Sequence, residues 1–122
     1  MYQLPQLLSR RLLLSAALVL APAGAAAHHG WTGYDEERTL ELKGVIRSST
    51  YEQPHGTLEL DVEKKTWRVV LAPPTRMKSR GLARDMLKPK TEATVVGYPH
   101  RKNKLELRAE RITVAGKTVE LR

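Results

Sequence analysis

From residue 39 onward, apolar side chains fall on alternate positions in short runs, and each run is cut by proline, glycine or a cluster of charges. A period of two is what a strand with one buried face requires, so the chain must fold mainly as β-sheet. Leu40, Leu42, Gly44 and Ile46 alternate with Glu41, Lys43, Val45 and Arg47, and Gly44 in mid-run predicts a bulge or a sharp bend. After Pro54-His55-Gly56, the side chains of Leu58, Leu60 and Val62 share one face, opposite Thr57, Glu59 and Asp61. Glu63-Lys64-Lys65 is short and polar and predicts a hairpin turn into a third strand, with Trp67, Val69 and Leu71 facing inward before Pro73-Pro74 stops the sheet. Phe is absent, so the core must rest on Leu, Val and Ile.

Between Thr75 and Leu87 the period changes. Met77, Leu82, Met86 and Leu87, interrupted by Gly81, predict a short helix or two helical turns with the methionines packed beneath. A fourth strand is expected from Thr91 to Tyr98 and a fifth from Leu105 to Val114. In the fifth, Leu105, Leu107 and Ala109 hold one parity while Ile112 and Val114 hold the other, which predicts an extra residue near Glu110-Arg111. Ala115-Gly116-Lys117 then turns into a last strand from Thr118 to Leu121. This order predicts a mainly β fold: a small OB-like antiparallel β-barrel of five to six strands with one short helical connection. An open antiparallel sheet with a helix at one end is the alternative, but it leaves edges exposed that a barrel removes.

Residues 1–27 read differently. Arg10 and Arg11 precede an apolar run from Leu12 to Ala21, Pro22 and Gly24 break it, and Ala25-Ala26-Ala27 supplies small residues at a peptidase site. That is the layout of a secretory signal peptide, and the run is short of the roughly 20 apolar residues of a spanning helix. The expected organisation is a signal peptide over 1–27, an amino-terminal arm over 28–38 and the barrel over 39–122. The expected location is periplasmic or secreted, with no stable membrane insertion after cleavage. Cysteine is absent, so neither a lipoprotein anchor nor disulfides are available.

Cleavage after Ala27 exposes His28 as the first residue, followed by His29. A free α-amine and the ring nitrogen of one histidine can chelate a single metal, because the amine loses its proton near pH 8 and is readily displaced by a metal. One further imidazole completes a histidine-brace-like set of three nitrogens that suits Cu(II). His55 is the expected opposing ligand, presented by a loop stiffened by Pro54 and allowed to turn by Gly56. His29 is an auxiliary ligand, and His100 is a reserve disfavoured by neighbouring Arg101 and Lys102. Cleavage one residue earlier places a histidine third, with the amine and two backbone amides around Cu(II). Cleavage after Ala25 weakens the site. Copper heads the usual affinity order for nitrogen ligands, and zinc is also compatible. On this reading the protein is a Cu(II) carrier or scavenger. Trp31 and Tyr34 are expected to staple the arm to the barrel, and Asp35-Glu36-Glu37 to form a solvated linker.

The formal net charge of +8 supports a rival reading. Arg76, Lys78, Arg80, Arg84, Lys88 and Lys90 crowd the helical connection, and Arg101, Lys102 and Lys104 form a second run. A non-enzymatic OB-like module would use such a surface for a polyanion or a protein partner. Nucleic acid is not expected, since outward strand faces lack the aromatics on which bases stack. No nucleophile motif or phosphate-binding glycine loop is present, and enzymatic activity is not expected apart from copper redox chemistry.

The segments HHGW, PHGTLELDV, TWRVVLAPPTRM followed by RGL, TVVGYP and LRAERITVAGKTVELR together resemble a family of small exported bacterial proteins of unassigned function. The resemblance covers nearly all of the chain after residue 27. It implies an OB-like barrel and export, and it places His28, His29 and His55, but not His100, on the family's histidine motifs.

Overall fold

The computed structural model describes residues 30–122. The expected signal peptide and its expected cleavage site, with His28 and His29, lie outside the described residues. Six strands follow the arm: β1 (Leu40–Thr50), β2 (Thr57–Val62), β3 (Lys65–Val70), β4 (Glu92–Pro99), β5 (Glu106–Val114) and β6 (Lys117–Glu120). Between β3 and β4 run a helix, α1 (Pro74–Ser79), and a 3-10 turn over Arg84–Leu87. The helix begins where Pro73-Pro74 ends the sheet, because proline suits the first helical turn and cannot continue a ladder.

Strands pair in the order β3-β2-β1-β4-β5-β6, and a parallel pairing of β3 Arg68–Val70 with β5 Glu106–Arg108 closes the first five into a barrel. The barrel is the OB-like closure expected, with β6 added along the remaining edge of β5. Strand β1 pairs with β4 through Leu40–Val45 and with β2 through Val45–Thr50, so it serves both halves of the barrel. Gly44 sits at that changeover, where a Cβ would come within 2.9 Å of the Asp61 carbonyl carbon. The residue therefore marks a close crossing. Of the bulge or sharp bend expected at Gly44, the bulge lies at Arg47, between the Ile46–Leu60 and Ser48–Glu59 pairs.

The bulge expected in the fifth strand is present. Val96 pairs with Arg111 and Gly97 with Ala109, leaving Glu110 as the extra residue. It lets Leu107 and Ala109 on one parity, and Ile112 and Val114 on the other, all reach the core. The turn into β6 has both Ala115 and Gly116 at positive φ, the geometry of a tight hairpin. Leu58, Leu60, Val69, Leu71, Met77, Leu82, Leu87, Val95 and Ile112 fill the interior, and Trp67 and Met86 pack at its margin. No helix among the described residues is long and apolar enough to cross a membrane.

Candidate functional site at the docked arm

The arm is part of the fold. Trp31 and Tyr34 are buried, as stapling residues should be. Tyr34 makes an isolated bridge to His100 and donates its hydroxyl to Glu106 at the start of β5. Burial first, then that hydrogen bond and the Glu106 charge, push the phenol well above its ordinary range. The amide of Asp35 donates to the Pro99 carbonyl, and that of Arg101 to Gly33. The solvated linker expected at Asp35-Glu36-Glu37 is corrected in part. Asp35 pairs with Arg101 at 3.9 Å and Glu36 with Arg122 at 2.8 Å, because the docked backbone brings both carboxylates against barrel arginines. Glu37 is exposed.

Beneath the arm lies a group that the sequence did not single out. Arg108 of β5 is only 4% exposed, and its Nη1 donates to the Gly30 carbonyl at 2.6 Å. Its guanidinium carbon stands 4.4 Å from the centre of the Trp31 ring, and that of Arg122 stands 4.2 Å from the same ring. Both are cation–π distances. Burial, together with the charges of Arg76 and Arg122, works against the charge on Arg108. Strand parity gives no sign of this burial, since Arg108 lies between inward-facing Leu107 and Ala109 and meets Gly30 and Trp31 of the arm.

His55, in the loop between β1 and β2, lies in the same electrostatic neighbourhood. Burial, then Arg108 and Arg76, lower its pKa from the ordinary value and favour a neutral imidazole. His100 is structural. Its Nδ1 accepts backbone N–H groups from Lys102 at 3.1 Å and Asn103 at 2.9 Å, and its Nε2 lies against Gly33. With Nδ1 bonded twice and Nε2 faced by backbone, the ring pins its loop to the arm. Among the described residues, no three His, Asp or Glu side chains gather as a metal site. Of the expected ligands only His55 lies within the described residues.

The two basic runs separate. In the helical connection, Arg76 donates to the Leu121 carbonyl, Arg80 to those of Glu120 and Arg122, and Arg84 to that of Tyr51, whose ring it also covers. These arginines tie α1 and the 3-10 turn to the barrel. In the loop from His100 to Leu105, Lys102 and Lys104 form no ion pair among the described residues, and with Arg38 they rim a cleft of about 330 Å³ beside Trp67.

A family model of unknown function, DUF6152, matches residues 16–108. The chain belongs to that family. No curated protein matches this DUF6152 chain. Among solved structures it is similar to a chain of the S. pombe Stn1–Ten1 complex, at 18% identity and a TM-score of 0.52, covering 66% of this chain and 60% of that one. It is also similar to TiaS in a complex with a transfer RNA and ATP, at 20% identity and a TM-score of 0.47, covering 72% of this chain and 19% of that one. The first likeness agrees with the OB-like barrel. The DUF6152 chain thus spans less than two thirds of either protein.

Proposed function

We propose that the chain is a non-enzymatic OB-like binding module that recognises an acidic partner, a periplasmic protein or a polyanion, through its basic surface. The observation that carries this reading is the cleft beside Trp67, where Arg38, Lys102 and Lys104 stand without ion-pair partners among the described residues, with Glu106 as the one carboxylate in its lining. Unpaired cations around a half-buried indole attract an anionic surface and give its apolar parts a contact. The test is retention on immobilised heparin across a salt gradient. Retention should fall steeply with salt. The Lys102→Glu/Lys104→Glu double variant should weaken binding at least tenfold, about 1.4 kcal/mol, while His28→Ala and His55→Ala leave it unchanged. Equal retention of the charge-reversed and parent chains would refute the reading.

A metal site made by His28, His55 and His29 is the second reading, supported by one specific observation. The Gly30 carbonyl, next in sequence after His28-His29, is tethered to Arg108, whose charge also acts on His55. A neutral His55 is also the form that binds metal. The same arginines repel a dication, which ranks this reading second. Cu(II) titration of a chain beginning at His28 should show at least tenfold weaker binding, about 1.4 kcal/mol, for His28→Ala and for His55→Ala. Unchanged affinity in both variants removes the site.

A further inference from the structure

We propose that the edge of β1 at Glu41 and Lys43 docks an extended acidic segment of a partner protein as an added strand. The proposal rests on the reading of the chain as a module for acidic partners, and names the form of the partner and the backbone that receives it.

The first argument is the ladder. Strand β1 meets β4 through Leu40–Val45, but meets β2 only from Val45 onward. Strand β2 ends at Val62, which pairs with Lys65 across the hairpin turn, so among the described residues no strand lies beside residues 40–43 on that side. The amide of Ile46 donates to the Thr91 carbonyl, on the β4 side. Register with β4 is unbroken from Val45 back to Leu40, and peptide groups along a strand alternate in direction. Leu42 and Gly44 therefore bond toward β4, while Glu41 and Lys43 turn N–H and C=O to the opposite edge. Both residues are exposed. An open edge of this kind is a template for another strand.

The second argument is the space and charge beside that edge. A cleft of about 600 Å³ lies between Glu41 and Leu42 and the β2–β3 hairpin, with Val62 and Trp67 also in its lining. Trp67 lines the cleft of Arg38, Lys102 and Lys104 as well, so the two adjoin at the indole. Glu41 is met by Lys43 at 4.0 Å. Lys64 and Lys65 form no ion pair among the described residues, and Glu63 is the remaining carboxylate of the lining. The balance is positive in both clefts. Successive side chains of a strand point to opposite faces, so a segment alternating acidic and apolar residues sets its apolar row against Val62 and Trp67. Its acidic row stays on the solvent side, in the field of Lys64 and Lys65. A second copy of the chain carries the same formal charge of +8 and is repelled. A polysaccharide brings charge but no peptide groups to continue the ladder.

The test is fluorescence anisotropy of a labelled octapeptide of alternating Glu and Val, added to the full chain. The peptide should bind saturably. Methylating its four central amides keeps every side chain and charge but removes the strand donors, and should weaken binding at least tenfold. Glu41→Pro should weaken it at least tenfold as well. Proline there deletes only the N–H on the open edge, so pairing with β4 survives and the circular dichroism spectrum should be unchanged. On charge alone, losing a carboxylate strengthens binding of an acidic ligand, so the sign separates strand pairing from simple attraction. If Glu41→Pro does not fold, the methylated peptide decides on the unaltered chain. Lys64→Glu/Lys65→Glu should also cost at least tenfold, and unchanged binding in that variant overturns the acidic assignment. Equal binding of the methylated and parent peptides, or binding of neither, overturns the proposal. Dimerisation in sedimentation that Glu41→Pro abolishes, with no peptide bound, gives the edge to a second copy and overturns the acidic partner. Loss of peptide binding with intact, Lys102- and Lys104-dependent heparin retention removes only the strand docking. Peptide binding without that retention removes only the reading of the Arg38, Lys102 and Lys104 cleft.

Discussion

Gly97→Ala is expected to lower the stability of the barrel by about 3 kcal/mol or more, the upper range for forcing an extra methyl group into a packed site. A Cβ at this position would come within 2.8 Å of both the Ala109 Cα and the Arg108 carbonyl carbon. These are backbone atoms on the facing strand, so no side chain can swing aside. Relief requires β4 and β5 to separate where the Glu110 bulge has already interrupted their ladder. Three kcal/mol is a large share of the roughly 5–15 kcal/mol that holds a domain folded. The melting temperature should fall by about 12 °C or more, followed by circular dichroism. Gly116→Asn is the control. Its φ of +74° is tolerated by asparagine, and nothing lies within 4 Å of the added Cβ, so its effect should stay below about 1 kcal/mol. Similar melting of both variants would show that the strand crossing at Gly97 yields easily.

The barrel is legible in the sequence because its elements announce themselves locally. The alternation through Leu58 and Leu60, the Pro73-Pro74 stop and the parity change after Ala109 each mark one element, and together they favour a barrel over the alternative open sheet. The bulge in β1 falls at Arg47 rather than at Gly44, because glycine answers equally to a bulge and to a close crossing. The candidate site is less legible. Arg108 occupies an ordinary outward position by parity, and its contacts with Gly30 and Trp31 come from a segment more than seventy residues earlier in the chain. The arginines of the helical connection have the look of a free basic surface, but backbone carbonyls of Glu120 and Leu121, at and just past the end of β6, accept from Arg80 and Arg76. Charge runs are read from sequence, whereas their acceptors are set by the fold.

Arg108→Met should make the barrel more stable. Three contributions compete. The substitution removes a charge-assisted hydrogen bond to Gly30, typically about 1.5–3 kcal/mol, and a cation–π contact with Trp31 of about 0.5–2 kcal/mol. Against these stands the penalty for holding a guanidinium 4% exposed with no carboxylate partner among the described residues and with Arg76 and Arg122 nearby, several kcal/mol per buried ion. Two details reduce the loss. Gly30 is exposed, so its carbonyl can turn to water, and Arg122 still covers the Trp31 ring. Methionine fills much of the vacated volume with an adaptable apolar chain. The balance favours the variant by about 1–2 kcal/mol, a rise in melting temperature of roughly 4–15 °C. A fall of comparable size would instead make Arg108 a strut for the arm, whose bonds to Gly30 and Trp31 outweigh the burial of its charge.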